Sequence, residues 1–381
     1  MTFNNSLYQS LCRLQTVCLK QNIPFVSYRL PHETEIITLV QHHSVPEKLD
    51  TLQNIDTRTG FVVAPFFETK EQGVYFLNPD CVYFSNEIED LYIKKLAEND
   101  RFLHLEKPSD TGIQTTSSTE FIGNVNLAVQ AMKKGEFNKV VLSKIRVEKQ
   151  KDNFAAPDFF LKLCGKYPNA FVYLMQFPEV GSWMGATPEP LLMIEDETVK
   201  TVSLAGTQLA TNSSDIKSYL WSSKEVEEQG IVTNFVEELL RSLQIENRSK
   251  TGPENYQAGN LIHLKTSFEF PTSELKSRFS DLLRSLHPTP SVGGLPKKEA
   301  REFILSNEKH DRAYYTGFLG PLNINEKSAV FVNLRCLQLF DRQFVLYSGA
   351  GITTSSVAEN EWIETDNKMM TMMNAMKTPN S

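Results

Sequence analysis

Two glutamate pairs, each with two residues between its members, are the part of this sequence best suited to chemistry. Glu225 and Glu228 form the first pair. The apolar residues that follow them at helical spacing are Val232, Val236, Leu239 and Leu243. At 100° per residue, a helix over this segment turns both carboxylates toward the face that enters the core. Buried glutamates are rare without a partner, so this placement predicts a functional site. An exposed helix end is the alternative.

The second pair, Glu361 and Glu364, shares one edge of a C-terminal helical segment with Lys368. Taken alone, Glu364 and Lys368 are typical of an exposed i, i+4 pair worth only ~0.3–0.5 kcal/mol. Together with the first pair, the carboxylates would repel one another unless a cation lay between them. An all-oxygen donor set suits Mg²⁺, with water and an anionic substrate completing its coordination. The two pairs therefore predict a magnesium site.

Two cationic residues lie in segments that otherwise have the pattern of buried strands. Arg335 is predicted in the middle of a strand over 330–339, so its guanidinium needs an anion, either a protein carboxylate or one of the substrate. Lys139 opens a strand on the same side as Val141 and Ile145, which predicts an inward lysine that can lose its proton and act as a base. A lysine that snorkels at the strand end is the alternative.

Other catalytic motifs fit the sequence poorly. Gly349-Ala-Gly351 begins a G-x-G, but Thr354 follows and no βαβ unit comes after it. Each of three serines precedes a lysine by three residues, as in a serine acyl hydrolase; these are Ser214, Ser273 and Ser306. No Ser-Asp-Asn motif accompanies them, so acyl transfer is the weakest of the functions considered.

Helical and strand patterns place these residues on a mixed scaffold. The predicted strands cover 139–147, 170–177, 183–187, 191–194 and 199–204. The first predicted helix begins near Ser117 and stops at Gly135. Three more predicted helices cover 222–243, 297–309 and 358–377. The Pro- and Gly-rich segment 287–296 is predicted to be a shaped loop. Helices and hairpins alternate without a βαβ rhythm, which indicates an α+β fold with large antiparallel sheets.

Composition excludes several classes of protein. The 381 residues include 39 Lys+Arg and 46 Asp+Glu, a net charge of −7, which argues against a nucleic-acid partner. No apolar run approaches ~20 residues and no secretory signal is visible, so we expect no membrane partner. The five cysteines form no CxxC pair, as is typical of reduced thiols in a cytoplasmic protein. We expect a soluble enzyme with a small-molecule substrate and no obligatory protein partner.

Eight segments in order along the chain resemble the chorismate-utilising enzymes. They are Lys139-Val-Val-Leu-Ser-Lys, Gly185-Ala-Thr-Pro-Glu-Pro, Leu204-Ala-Gly-Thr, Ser222-Ser-Lys-Glu-Val-Glu-Glu, Leu286-His-Pro-Thr-Pro-Ser-Val-Gly-Gly-Leu-Pro, Tyr314-Tyr-Thr-Gly, Tyr347-Ser-Gly-Ala-Gly-Ile and Glu361-Trp-Ile-Glu-Thr-Asp-Asn-Lys. The resemblance implies one structural domain, with central antiparallel sheets and helices outside. Within it, 116–377 is the chorismate-binding region and 1–115 is the variable N-terminal half of the fold.

The resemblance is strongest to the isochorismate-synthase branch of the family. It implies a Mg²⁺-dependent isomerase that adds water at C2 of chorismate while the C4 hydroxyl leaves. By position, Lys139 matches the base that activates the water, and Glu189 matches the acid that protonates the departing hydroxyl. Glu228 and Glu364 match direct Mg²⁺ ligands, with Glu225 and Glu361 supporting through water. The positions that match substrate contacts are Gly206, Thr207, His263, Ser291, Tyr315, Arg335, Gly349, Gly351 and Lys368. This chemistry requires a protonated Glu189 and a neutral Lys139.

Single positions separate the branches of the family. The aminating enzymes usually lack a lysine that matches Lys139, and the aminodeoxychorismate branch has a lysine where this chain has Ala205. Lys144 and Gln229 differ from the arginine and histidine that are common at their positions. Salicylate synthase, an anthranilate-synthase-like enzyme and a non-catalytic homologue are the alternatives. Without an aminating or pyruvate-eliminating signature, we expect the product to enter menaquinone rather than siderophore synthesis.

Overall fold

The computed structural model describes residues 8–85, 88–210, 216–259, 261–275 and 278–377. The helices in these ranges are α1 (Gln9–Lys20), α2 (Asp90–Ala97), α3 (Ser118–Lys133), α4 (Ala156–Lys166), α5 (Ser223–Ser242), α6 (Phe279–Leu286), α7 (Lys297–Asn307) and α8 (Ala358–Lys377). The first nine strands are β1 (Phe25–Arg29), β2 (Ile37–Val40), β3 (Glu47–Lys48), β4 (Gly60–Ala64), β5 (Tyr75–Leu77), β6 (Cys81–Phe84), β7 (Lys139–Lys149), β8 (Phe171–Phe177) and β9 (Gly181–Thr187). The others are β10 (Pro190–Glu195), β11 (Thr198–Leu209), β12 (Ser249–Ala258), β13 (Leu261–Pro271), β14 (Gly294–Leu295), β15 (Phe318–Leu322), β16 (Ser328–Val332), β17 (Cys336–Leu339) and β18 (Gln343–Ile352).

The strands form two nine-stranded sheets. One sheet has the order β14-β7-β18-β17-β9-β8-β1-β2-β6, and the other has the order β12-β13-β11-β10-β16-β15-β4-β5-β3. Neighbouring strands run antiparallel, as in the pairs β7 with β18 and β11 with β13. The expected α+β architecture with large antiparallel sheets is confirmed.

The sheets pack face to face, and helices cover their outer sides. Apolar residues of both sheets share one buried cluster, in which the rings of Phe171 and Phe331 stack with centroids 4.3 Å apart. A second cluster joins the outer face of the β1–β8 sheet to α1, α4 and α8. A third joins the other sheet to α5 and α6, with Val236 and Leu240 buried. The alternating strand pattern thus gives each sheet two apolar faces, as in a layered fold.

The helices and strands that carry the glutamates and Lys139 lie where the patterns place them. The stripe predicted over 222–243 corresponds to α5, and the strand predicted from residue 139 corresponds to β7. The first 115 residues supply strands to both sheets, since β1 pairs with β8 and β4 pairs with β15. The division near residue 115 therefore does not separate two packing units, and its meaning within the family stays a prediction.

One predicted strand is wrong at a position that matters for the site. The expected strand over 330–339 is two strands, β16 and β17, and these belong to different sheets. The chain crosses from one sheet to the other at Asn333–Arg335, where Arg335 adopts a left-handed φ of 49°. Arg335 is therefore in a corner between the sheets rather than in the middle of a strand. Such φ values are uncommon for residues other than glycine and cluster at functional sites.

In the described ranges, no helix combines the length and the apolar character that a membrane crossing would need.

Candidate active site

Lys139 and Glu228 form the buried centre of the candidate site. The Lys139 side chain is 0% exposed, and its Nζ lies 2.9 Å from Oε1 of Glu228. Burial acts to raise the pKa of Glu228, but the charge and hydrogen bond of Lys139, together with the charges of two further lysines, outweigh it and the pKa is lowered. Gly351 of β18 makes this meeting possible, since a Cβ there would lie 2.3 Å from that same Glu228 oxygen. Lys139 therefore points inward, as predicted, and its Nζ is paired with a carboxylate.

Glu189 lies in the short link between β9 and β10, and it is 5% exposed. Burial raises its pKa to about 7, against the opposing effects of Lys139, Arg335 and Lys368. The charges of those three residues act on the Glu189 carboxyl group, but none of them forms a salt bridge with it within the described residues. Glu189 is thus a carboxylic acid that can hold its proton near neutral pH, which is what a general acid requires.

The four glutamates lie on α5 and α8, and each has a partner in the protein. Glu361 contacts Nζ of Lys224, and Oε1 of Glu364 lies 2.6 Å from Nζ of Lys368. Glu225 is held differently, because its Oε2 accepts a 2.8 Å hydrogen bond from the backbone N–H of Ser222 in a capping box at the start of α5. The capping glutamate is thus tied to the helix start, and the other three glutamates are each balanced by a lysine.

These carboxylates fit a divalent cation by two observations. Oε2 of Glu361 is buried and has no hydrogen-bond partner within the described residues. Burial and the nearby Glu364 raise the pKa of Glu361, so a cation between the two helices would stabilise both charges. No three of the four glutamates bring carboxylate oxygens within 4.8 Å of one another in the described chain. The arrangement therefore suits two direct ligands and water-mediated support rather than a closed protein cage.

A chain of polar contacts runs from β11 to the corner that carries Arg335. Nδ1 of His263 lies 2.8 Å from the carbonyl oxygen of Gly206 and 3.4 Å from Oγ1 of Thr207. Burial and the cation of Arg335 lower the pKa of His263 to about 3, so the ring is neutral and its Nδ1–H donates to Gly206. Nη2 of Arg335 lies 3.4 Å from the other ring nitrogen, Nε2, which accepts. Gly206, Thr207, His263 and Arg335 are thus brought together.

Arg335 has no carboxylate salt bridge within the part of the chain that the structure describes. It borders a cavity of about 250 Å³ together with Tyr167, Ala186 and Gly259. The sequence left two anions open for Arg335, a protein carboxylate or a substrate carboxylate. The described residues supply no protein carboxylate. The guanidinium is therefore available to an anionic ligand that enters this cavity.

The remaining predicted contact residues lie on α8, on β18 and in two loops, one before β15 and one after α6. Nζ of Lys368 donates a 3.0 Å hydrogen bond to the carbonyl oxygen of Gly349. Tyr315 is buried and stacks on Tyr347, and its hydroxyl would lie 3.0 Å from a Cβ at Gly349. Ser291, in the loop after α6, donates its hydroxyl to the carbonyl oxygen of Leu204, 2.9 Å away. Tyr315, Gly349 and Lys368 therefore lie close together, and Ser291 adjoins β11 near Gly206.

The two positions that differ from the family pattern have well-defined partners. Lys144 is 2% exposed, forms a 2.7 Å salt bridge with Asp366 and lies 3.1 Å from the ring centroid of Trp362. Gln229 is buried and donates hydrogen bonds to Ser203 and Thr266, which fasten α5 to β11 and β13. Both substitutions therefore support the helices that carry the glutamates.

The positions of the serines do not support the alternative function of a serine acyl hydrolase. Ser306 donates its hydroxyl to the carbonyl oxygen of Glu302 within α7, and it is exposed. Ser214 and Lys276, the lysine that follows Ser273, lie outside the described residues.

A buried network that sequence reasoning missed supports the strand of Lys139. β14 pairs with the first two residues of β7, and the backbone N–H of the next residue, Val141, donates a hydrogen bond to the carbonyl oxygen of Gly293. Beyond Val141, β7 has no strand partner on this side within the described chain. Instead, the Glu308 carboxylate accepts hydrogen bonds from the backbone N–H of Ser143 at 2.6 Å and from its hydroxyl at 3.0 Å. A carboxylate thus replaces the missing strand partner. Its signal in the sequence is the i, i+4 spacing of Glu308 and Arg312, which is common on exposed helices and therefore not specific.

Arg312 completes this network. Its guanidinium binds both carboxylate oxygens of Glu308, at 2.8 and 2.6 Å, and donates to the carbonyl oxygens of Val141 and Val292 at 2.6 and 3.0 Å. The side chains of Arg312 and Glu308 are 4% and 3% exposed. Arg312 therefore joins β7 to the loop that carries Ser291, two segments of the candidate site.

Breaking this pair should destabilise the protein strongly. Arg312→Met leaves the Glu308 carboxylate buried without its cation, and we expect the free energy of unfolding to fall by about 3–5 kcal/mol. Urea denaturation measures the change. Arg13→Met is the matched control, since the side chains of the Arg13–Asp90 pair are 51% and 63% exposed, and it should cost less than ~1 kcal/mol. Equal losses in the two variants would contradict the structural role given to Arg312.

Comparisons with known proteins agree on one family. The family model described as "Chorismate binding enzyme" matches residues 44–377. The vibriobactin-specific isochorismate synthase of Vibrio cholerae is 26% identical over 290 residues, which cover 75% of this chain and 73% of that protein. The isochorismate synthase MenF of Escherichia coli is 30% identical over 253 residues, 64% of this chain and 57% of that protein. The solved structure of MenF, the menaquinone-specific isochorismate synthase of Escherichia coli, superposes with a TM-score of 0.75 at 20% identity and covers 96% of this chain and 91% of that one. The alignment with the MenF sequence thus spans little more than half of that relative.

Proposed function

Because the chain belongs to the chorismate-binding enzymes, we propose that it converts chorismate to isochorismate. The observation that carries the proposal is the meeting of a buried lysine, a buried carboxylic acid and two glutamate-bearing helices around one centre. Lys139 contacts Glu228 at 2.9 Å, and Glu189 is influenced by Lys139, Arg335 and Lys368 together. This arrangement provides a base, an acid and anion-binding groups for one reaction.

The reaction needs two proton transfers on one ring. Water attacks C2 and gives its proton to the Lys139 amine, while the ring double bonds shift and the C4 hydroxyl departs with the proton of Glu189 as water. Hydroxide is a poor leaving group, so the acid must be protonated beforehand. Proton exchange with solvent then returns Lys139 and Glu189 to their starting states. The raised pKa of Glu189 supports its role as the acid.

Mg²⁺ is the cofactor that we assign to the glutamates, with Glu228 and Glu364 as direct ligands and Glu225 and Glu361 as water-mediated ones. When bound, it would orient the ring carboxylate of the substrate and withdraw electrons from the conjugated system. The base must be a neutral amine, so Lys139 must lose its proton and with it the salt bridge to Glu228 that the structure shows. We therefore assign Glu228 first to the salt bridge with Lys139 and then, when the metal is bound, to Mg²⁺.

The substrate carries two carboxylates, and the site offers cations and neutral donors for them. Arg335, which lacks a carboxylate partner in the described chain, is assigned to one of these groups, with Tyr315 and Thr207 adding neutral hydrogen bonds. Lys368 and the backbone of Gly349 are assigned to the other side of the site. Gly206, His263, Ser291 and Gly351 shape the surrounding wall.

The contribution of Glu189 to the rate should fall as the pH rises through about 7. Glu189 has a pKa raised by burial to about 7, and only its protonated form can donate to the leaving group. Above that value the protonated fraction of Glu189 falls about tenfold per pH unit, and the ratio of kcat/KM in the wild type to kcat/KM in Glu189→Gln should fall with it, because both enzymes need the same neutral base. Steady-state rates of the two enzymes between pH 5.5 and 9 give this ratio. A ratio that does not change with pH would assign the proton donation to another group.

The proposed activity is tested by incubating the intact chain with chorismate and Mg²⁺ and separating the products by chromatography. We expect isochorismate as the product. Salicylate with pyruvate would indicate a salicylate synthase, and anthranilate in the presence of ammonium would indicate an aminating enzyme. No turnover at all would favour the non-catalytic homologue. Entry of the product into menaquinone synthesis stays a prediction, because the relatives include both a menaquinone-specific and a vibriobactin-specific enzyme.

A further inference from the structure

A second group of possible metal ligands lies on the first 115 residues and has no part in the proposed reaction. It consists of His42 and His43, which follow β2, and Asp80, which precedes β6. β2 pairs with β6 through Val40 and Cys81. The pairing therefore holds the three residues together at the outer edge of the β1–β8 sheet.

The donor atoms of the three side chains are already close. One donor atom from each residue lies within 4.8 Å of the others. Nδ1 of His43 lies 3.1 Å from Oδ1 of Asp80, and Nδ1 of His42 lies 3.5 Å from Oδ2. Two ligands placed ~2.0–2.1 Å from a tetrahedral zinc ion are separated by roughly 3.3 Å. The observed spacings match that separation, so an ion needs only small side-chain shifts.

The backbone holds the group in this form. Consecutive side chains in an extended strand point to opposite sides, yet the His42 and His43 rings lie together with centroids 4.0 Å apart. The backbone N–H groups of both histidines donate to Oδ2 of Asp80, at 2.6 and 3.0 Å, and this fixes the carboxylate. Such hydrogen bonds to a ligand carboxylate raise the affinity of metal sites.

The surroundings also orient the histidines. The hydroxyl of Tyr92 in α2 lies 3.3 Å from Nδ1 of His42, and Asn99 donates to the carbonyl oxygen of His42 at 3.4 Å. The His43 side chain is 69% exposed, so an ion can enter and water can fill a fourth position.

We propose that His42, His43 and Asp80 form a zinc-binding site that fastens the β2–β6 edge of the sheet. Two imidazoles and one carboxylate suit Zn²⁺, whereas Mg²⁺ prefers oxygen ligands and octahedral geometry. The site is therefore distinct in chemistry from the glutamates of α5 and α8. It does not depend on the proposed isomerase activity.

Calorimetric titration of the intact chain with ZnCl₂, in excess MgCl₂, tests the proposal. The wild type should bind one zinc ion at this site. His43→Ala and Asp80→Asn should each weaken zinc binding at least tenfold, because even the loss of a residue that only supports a metal ligand typically has an effect of about that size. His104→Ala removes an exposed histidine elsewhere and is the matched control, so it should bind zinc as the wild type does.

A second readout protects the test against misfolding of a variant. Zinc should raise the thermal unfolding temperature of the wild type and of His104→Ala, reversibly on addition of EDTA, because an ion that binds only the folded state stabilises it. Asp80→Asn keeps an oxygen that can accept the two backbone hydrogen bonds, and it should fold but show no zinc-dependent shift. Zinc isotherms and temperature shifts in both site variants equal to those of the wild type would overturn the proposal.

Discussion

Replacing Lys139 with alanine should reduce the turnover of chorismate by about 10²–10⁴-fold, the usual contribution of a general base. Lys139 is fully buried beside Glu228, and no other lysine of β7 reaches this centre, because Lys144 is paired with Asp366 and Lys149 is exposed. The loss should appear in kcat with little change in KM, because the lysine acts on water rather than on the substrate carboxylates. Rates of isochorismate formation at saturating Mg²⁺ measure the effect.

Lys139→Arg separates a base from a structural cation. Arginine can keep the salt bridge with Glu228 but cannot lose its proton in a protein, so this variant should fold and remain inactive. Lys149→Ala, at the exposed end of the same strand, should retain full activity. Substantial turnover by Lys139→Arg would show that a positive charge suffices and would refute the assigned base.

Glu364→Gln should remove most of the Mg²⁺ affinity together with the activity. The substitution keeps the size of the side chain but takes away the charge that, with Glu228, is assigned to the ion. Loss of a ligand should weaken binding by at least about tenfold, the range seen when even a residue that supports a metal ligand is changed. Titration calorimetry of Mg²⁺ in the absence of substrate gives this value independently of turnover.

Glu359→Gln is the control for that substitution, because Glu359 lies in the first turn of the same helix α8 and is exposed. It should bind Mg²⁺ as the wild type does. If Glu364→Gln also bound Mg²⁺ unchanged, the ion would have to lie elsewhere, and the lysine partners of the glutamates would be their permanent neutralising charges.

The sequence predicted those features that depend on local periodicity. The helical stripe of α5 placed Glu225 and Glu228 on the side that faces the sheets, and strand alternation turned Lys139 inward. Both follow from the fixed angle between neighbouring side chains in a helix or strand, which requires no knowledge of distant contacts. The resemblance to known enzymes supplied the proposed roles of Glu189 and His263, which no periodic pattern marks.

Features that depend on long-range packing could not be predicted in this way. Arg335 was placed in the middle of a strand because apolar residues flank it, yet the chain crosses between the two sheets there. The pairing of Glu361 with Lys224 joins residues 137 positions apart. Glu308 acts as a strand partner for Ser143 only because β14 ends early, and a two-residue strand gives no sequence signal.

The isotopic fate of water tests the account most directly. The intact chain is incubated with chorismate and Mg²⁺ in H₂¹⁸O, and the isochorismate is analysed by mass spectrometry. If solvent water attacks C2, the wild-type product should carry one ¹⁸O atom in its C2 hydroxyl. Lys139→Arg should form no labelled product. Isochorismate formed without the label would mean that the C4 oxygen migrates within the molecule, which would contradict the division of labour between Lys139 and Glu189.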